Sequence, residues 1–296
     1  MAKRAAYLHI GLPHSGGERI DAALQEHAGA LAPSGVLVPS RSVDEMFRAA
    51  VELRREHKAW GLRRKDVEGV WSGVCRRTTK GHDDVLVGHH LLAGSTEAEI
   101  DLLVDRLSGF AVHVVVTVAA PDARLSAFPD DHDLADVLRR WDRVVSSSDR
   151  MHVVVCDRTD PSAAWAEIGR VVGFDAAPLP LPAALVDRVD TAALRVIAES
   201  SASLAHADDL VAVVEEWAKL VADRGYDVRG DLIGLVAAAS TAAVESPDLG
   251  AAALGEALSD TLAEVTRLRA RTRELERDNA KLAKKKRKLK DLLAQR

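Results

Sequence analysis

The chain has 296 residues, of which 47% are hydrophobic and 29% charged, enough apolar material for one large or two modest cores. Two cysteines, Cys75 and Cys156, exclude a disulfide framework and imply a reducing, cytoplasmic compartment. The net charge of −5 is split: residues 264–296 hold 13 Lys or Arg against 5 Asp or Glu, whereas the rest holds 27 against 40, so an acidic body carries a basic tail.

The apolar stretch after Lys3 and Arg4 is broken by His9, Gly11, Pro13 and His14, too early for a signal peptide. No run approaches the ~20 apolar residues of a membrane-spanning helix, so no membrane span is expected. Tyr7 to Leu12 reads as a buried strand, Pro-His-Ser-Gly-Gly as a loop, and Ile20, Leu24, His27 and Leu31 as one face of a helix. Further strands are expected at Val36 to Val38, Val85 to Val87, Val112 to Val118 and His152 to Cys156, with helices at Leu134 to Val144 and Ala163 to Val172. The second of these ends at Gly173, where a left-handed cap costs glycine little. Strands alternating with helices specify an α/β fold whose mainly parallel sheet is flanked by helices.

The proline-bearing stretch Ala176 to Pro182 marks the expected boundary, beyond which strand signals stop and helices are predicted at Leu185 to Leu204, Asp209 to Arg224 and Asp231 to Val244. Ser246-Pro247-Asp248 opens the last helix. Leu268, Leu275, Leu282 and Leu289 repeat every seven residues, and Leu258, Val265, Thr272, Asn279, Lys286 and Leu293 form a second seam. These are the d and a positions of a coiled coil, with leucine at d. The expected domains are 1–178 (α/β), 179–248 (helical) and 249–296 (basic coiled coil). Residues 258–293 are expected to mediate homo-oligomerisation, preferably as a parallel dimer, against the alternative of one long helix folded on the body. Six of the eleven lysines lie between Lys281 and Lys290, where Lys285 would face Lys290 of an identical helix and repel it, so this end suits an acidic protein or a polyanion.

A glycine-containing loop that enters a helix after a strand is a natural anion site, because the first helical N–H groups are unpaired. Gly11-x-x-x-x-Gly16 has the spacing, but Gly17 and Glu18 stand where a nucleotide triphosphatase needs Lys and then Ser or Thr. Ser15-x-x-Glu18 reads as a capping box, with Ser15 and Glu18 satisfying each other's amides at the helix start. The carboxylate of Glu18 there would also repel a bound anion.

The stretch Tyr7-Leu8-His9-Ile10-Gly11-Leu12-Pro13-His14-Ser15-Gly16 resembles the phosphosulfate loop of bacterial sulfotransferases that use 3'-phosphoadenosine 5'-phosphosulfate (PAPS). Val85 to Ala93, Val112 to Thr117, Asp136 to Trp141 and His152 to Val154 fit the same family in the same order, over roughly residues 5 to 178. The resemblance implies a sulfotransferase-like sheet, PAPS as cofactor, and donor binding by Gly11, Pro13, His14, Ser15, Gly16 and Gly17. His14 stands in place of the family's loop lysine, and His90 where the family often places its catalytic carboxylate, which makes His90 the candidate base. Val118 and Ala119 replace the arginine expected to hold the donor's 3'-phosphate. Two readings follow: a sulfotransferase-like protein with weakened or lost donor binding, acting as an oligomeric interaction or regulatory subunit through its coiled coil, and an active PAPS-dependent sulfotransferase. Cys75, His82, His89 and His90 match no compact metal-ligand spacing, so no metal is assigned from the sequence.

Overall fold

The computed structural model describes residues 3–12, 15–79, 81–121, 133–157, 160–182, 207–235 and 286. Among the described residues six strands, β1 (Ala5–Gly11), β2 (Val36–Leu37), β3 (Asp84–Gly88), β4 (Ala111–Val118), β5 (Met151–Val155) and β6 (Asp227–Arg229), form one sheet in the order β2-β3-β1-β4-β5-β6. Every pairing is parallel, as expected from strands alternating with helices.

The helices are α1 (Gly17–Glu26), α2 (Ala28–Leu31), α3 (Val43–Leu53), α4 (Arg64–Val67), α5 (Val70–Thr78), α6 (Glu97–Asp105), α7 (Leu134–Asp142), α8 (Ser162–Val172) and α9 (Ala207–Arg224). They divide between the two sheet faces according to the two-residue period of the strands. Ala6, Leu8, Ile10, Val114, Val116 and Val118 point to a core shared with α3, α5, α6, α7 and α9. Leu86, Val115 and Val154 point the other way, into a second core with α1, α2 and α8. The same alternation puts His9 and Thr117 on the α1 side, and this places buried polar groups beneath that helix.

The α8 helix ends as predicted at Gly173, with φ of 97° and its N–H returned to the Gly169 carbonyl. The expectation that strands end near 182 is corrected by β6, which pairs with β5 through His152↔Asp227, Val153↔Val228 and Val154↔Arg229. The helix expected at Asp209 to Arg224 is present as α9, and it belongs to the sheet. Val214, Trp217 and Val221 form its buried stripe, Trp217 Nε1 donates to Asp133 Oδ1 (3.0 Å), and Tyr226 Oη donates to Asp142 Oδ1 (2.8 Å). The compact unit bearing the sheet accordingly spans 1–184 and 202–246. Residues 231–234, expected to begin a helix, make a turn in which Gly234 N–H donates to Asp231 Oδ1.

The helix expected at 185–204 and the coiled coil expected at 249–296 lie outside the described residues, apart from Lys286, which is helical and exposed. Among the described residues no helix is long and apolar enough to cross a membrane.

Candidate functional site

The chain leaves β1 toward β2 on one side of the sheet and leaves β3 for β4 on the other, so the C-terminal ends of β1, β3 and β4 border the crevice where such sheets bind ligands. Three segments converge there: the loop after β1, His89 and His90 directly after β3, and Thr117 near the end of β4.

The loop is drawn inward by Ser15. Its hydroxyl is fully buried, donates to the Leu12 carbonyl (2.6 Å) and shares a hydrogen bond with Thr117 Oγ1 (3.0 Å), while Leu12 N–H donates to the Thr117 carbonyl (2.9 Å). The expected capping box is therefore absent. Gly16 is the N-cap residue of α1, with φ of 75° and no side-chain cap, so neither Ser15 nor Glu18 closes the helix start. A long-range partner, Thr117, has captured the hydroxyl that the local motif required. Glycine is needed at Gly16 for its left-handed backbone, and a Cβ there would also lie 2.7 Å from Pro161 Cβ. At Gly17 the need is space, since a Cβ would approach His90 Cβ to 2.8 Å. Pro13 and His14, both expected to hold donor, lie outside the described residues.

The centre of the site is Asp21, on the buried face of α1. Its Oδ1 accepts from His9 Nδ1 (3.2 Å), and its Oδ2 accepts from both the backbone N–H (3.1 Å) and Nδ1 (2.9 Å) of His90. His9 Nε2 continues the network to Thr117 Oγ1 (3.3 Å), and thence to Ser15. Burial alone would raise the Asp21 pKa, but the hydrogen bonds from His9 and His90 outweigh it and hold the carboxyl well below the usual carboxylate range. An ionised carboxylate is thus fixed among three histidines.

The two histidines after β3 differ. The side chain of His89 is 4% exposed; its ring lies between Phe47 (centroids 5.9 Å apart) and His90 (4.4 Å), and its Nδ1 accepts from Leu91 N–H (3.2 Å). Burial, reinforced by repulsion from His90 and His9, lowers its pKa to about 4, so it is neutral. The His90 side chain is 23% exposed and is the one that reaches the crevice, with Nε2 4.0 Å from Glu18 Oε1. Burial would lower its pKa, but the hydrogen bond and charge of Asp21 prevail, aided by Glu18, and raise it. This is a carboxylate–imidazole dyad: Asp21 fixes the ring and the Nδ1 proton, and Nε2 faces outward.

A scan against protein-family models finds no match, and a search of curated proteins finds none either.

Of the residues that meet here, the sequence singled out His89 and His90 and not Asp21 or His9. The available signal was an Asp on the apolar stripe Ile20–Leu24 opposite a His inside a buried strand. Cys75 and His82 do not join His89 and His90; the potential metal-ligating group among the described residues is Asp21, His89 and His90. Burial pushes both Cys75 and Cys156 up to about 12, which disfavours the thiolate form of each. Arg139 pairs with Asp136 and Glu216 on the exposed side of α7, where it serves as a solvated ion pair.

Proposed function

We propose that this chain is a group-transfer enzyme of the sulfotransferase kind, taking an anionic PAPS-class donor at residues 11–17 and removing the acceptor's proton at His90. The observation that carries this reading is the Asp21–His90 dyad, with Nδ1 to Oδ2 at 2.9 Å and Nε2 turned to the crevice beside the start of α1. The uncapped helix start adds support, because its N–H groups are not consumed by Ser15 and suit an anion. In the proposed reaction the acceptor oxygen attacks the sulfuryl sulfur as the bond from sulfur to the bridging phosphate oxygen breaks. Its proton passes to His90 Nε2, and 3'-phosphoadenosine 5'-phosphate leaves. Gly16 and Gly17 would bring the helix start to the phosphates, and His14, which stands in place of the family's loop lysine, is the residue the resemblance assigns to neutralising the donor. Asp21 is a positioning residue: it holds the His90 tautomer and stabilises the imidazolium that forms.

The test is release of 3'-phosphoadenosine 5'-phosphate from PAPS at saturating donor, with a panel of hydroxyl and amine acceptors. His90→Gln is expected to slow it by about 10²–10⁴-fold, the usual worth of a general base. An equal rate in the variant would remove His90 from the mechanism.

A second reading, an interaction or regulatory subunit that binds donor weakly, is favoured by two features. Val118 and Ala119 are buried where a 3'-phosphate arginine is expected, and Glu18 places a carboxylate at the start of α1. In this reading 258–293 self-associates, 281–290 takes an acidic protein or polyanion, and the protein resides in the reducing cytoplasm. Sedimentation of the full-length protein and a truncation before Leu258 tests it, a full-length monomer at high micromolar concentration counting against self-association.

A further inference from the structure

We propose that Asp21, His89 and His90 form a binding site for a divalent transition-metal ion of the zinc class. The inference rests on the geometry of these three side chains and is independent of the donor reading.

The three residues each offer one ligand atom, and the atoms lie within 4.8 Å of one another. From Asp21 Oδ2 the distances are 2.9 Å to His90 Nδ1 and 4.0 Å to His89 Nδ1. A tetrahedral ion with bonds of about 2.0–2.1 Å sets its ligands roughly 3.3 Å apart. These two spacings bracket that value and the third is at most 4.8 Å, so an ion would draw the two rings into a common arrangement around it. Two imidazoles and one carboxylate leave a fourth position for water, and nitrogen with oxygen ligands selects a transition metal over calcium or magnesium.

The surroundings are those of a built site. His89 Nδ1 accepts from Leu91 N–H, so it carries no proton, and it lies 4.0 Å from Asp21 Oδ2; a bound ion would take the place of that amide at its lone pair. The remaining oxygen of Asp21 is braced by His9, which is braced in turn by Thr117, the kind of outer support that orients metal ligands. Phe47 and His90 flank the His89 ring. Asp21 and His89 are almost completely buried, while His90 opens to solvent and gives the ion a route in. The ion would replace the His90–Asp21 hydrogen bond, with the His90 proton moving from Nδ1 to Nε2. His90 would then present N–H to the crevice and cease to be a base, so metal and proton-accepting dyad are alternative states of one set of side chains.

The test uses untagged, demetallised full-length protein titrated with Zn²⁺ by calorimetry and with Co²⁺ by visible absorption. The expected result is one equivalent bound at micromolar affinity or tighter, with intense tetrahedral-type Co²⁺ bands. His89→Ala and His90→Gln should each weaken uptake by at least about ten-fold, ligand loss being no milder than loss of an outer-shell partner. His152→Gln, a histidine in a different cluster, should leave uptake unchanged. Absence of the Co²⁺ bands in the wild type would overturn the proposal, as would His90→Gln binding as tightly as wild type. His90 is partly exposed, so that variant keeps the test decisive if His89→Ala fails to fold. Loss of metal binding with donor binding intact would sink this inference alone; the reverse result would sink the donor reading alone.

Discussion

Replacing Asp21 separates its charge from its hydrogen bonds. In Asp21→Ala one buried donor, His9 Nδ1–H, and two part-buried ones, His90 N–H and His90 Nδ1–H, lose their acceptor together, at sites now spanning 2.9–3.2 Å. Removing one partner of a buried ionic network costs about 3–5 kcal/mol, a large share of a typical folding free energy of roughly 5–15 kcal/mol. Asp21→Asn is milder. Its oxygen can keep both bonds from His90, and its NH₂ can donate to His9 Nδ1 once His9 moves its proton to Nε2. His9 then donates to Thr117 Oγ1, Thr117 to Ser15, and Ser15 to the Leu12 carbonyl as before. Only the charge-assisted part is lost, about 1–2 kcal/mol. Guanidinium denaturation at pH 7 read by tryptophan fluorescence suits the measurement, because Trp71, Trp141, Trp165 and Trp217 are all buried in the sheet-bearing unit. Midpoints should fall in the order wild type, Asn, Ala with the slope unchanged. An Asp21→Ala protein within about 1 kcal/mol of wild type would refute the claim that this carboxylate organises the site.

Gly88→Ala should destabilise by about 1–3 kcal/mol or more, because its Cβ would sit 2.7 Å from His9 Cβ and against the His9 carbonyl, forcing β1 and β3 apart under the site; the denaturation midpoint reads this directly. Acid should weaken the sheet through His113, on the interior strand β4. Burial, with repulsion from His152 and Arg150, lowers its folded pKa to about 4, while Asp149 and Asp84 oppose the shift. Since the unfolded chain takes up that proton near pH 6.5, the stability is present above pH 6.5 and is lost as pH falls toward 4, by about 1–2 kcal/mol after allowance for solvent screening. His113→Phe should flatten that limb of a stability-against-pH curve, and an unchanged limb would exonerate His113. Glu18→Gln removes the carboxylate at the start of α1 and should tighten an anionic ligand by roughly 2–5-fold in calorimetry, the worth of one charge at a helix end; weaker binding would place the ligand elsewhere.

The strands β1, β3, β4 and β5 were legible because each is a largely apolar run bounded by loop signals, rich in β-branched residues in β4 and β5, as in Val112 to Val118. The strand β6 was not. It is a three-residue edge strand with one apolar residue, Val228, between Asp227 and Arg229, and its identity comes from partners in β5 that are distant in the chain. The capping box failed for a related reason: its spacing is local, but Ser15 makes its bonds with Leu12 and Thr117, which the parallel pairing of β1 with β4 brings beneath it. The pair His89 and His90 was visible in the sequence from its place after β3, but which of the two reaches the crevice was not. Asp21, the partner of His90, was hidden as one acidic residue in an amphipathic helix, and only the sheet's alternation, which turns His9 toward α1, explains why a carboxylate is buried there.

The measurement that bears most directly on the central claim is calorimetric titration of the full-length protein with 3'-phosphoadenosine 5'-phosphate. Micromolar binding that is weakened by His14→Ala and strengthened by Glu18→Gln is the predicted result. No heat of binding in either the wild type or Glu18→Gln would contradict a donor site at residues 11–17 and leave the interaction-subunit reading in its place.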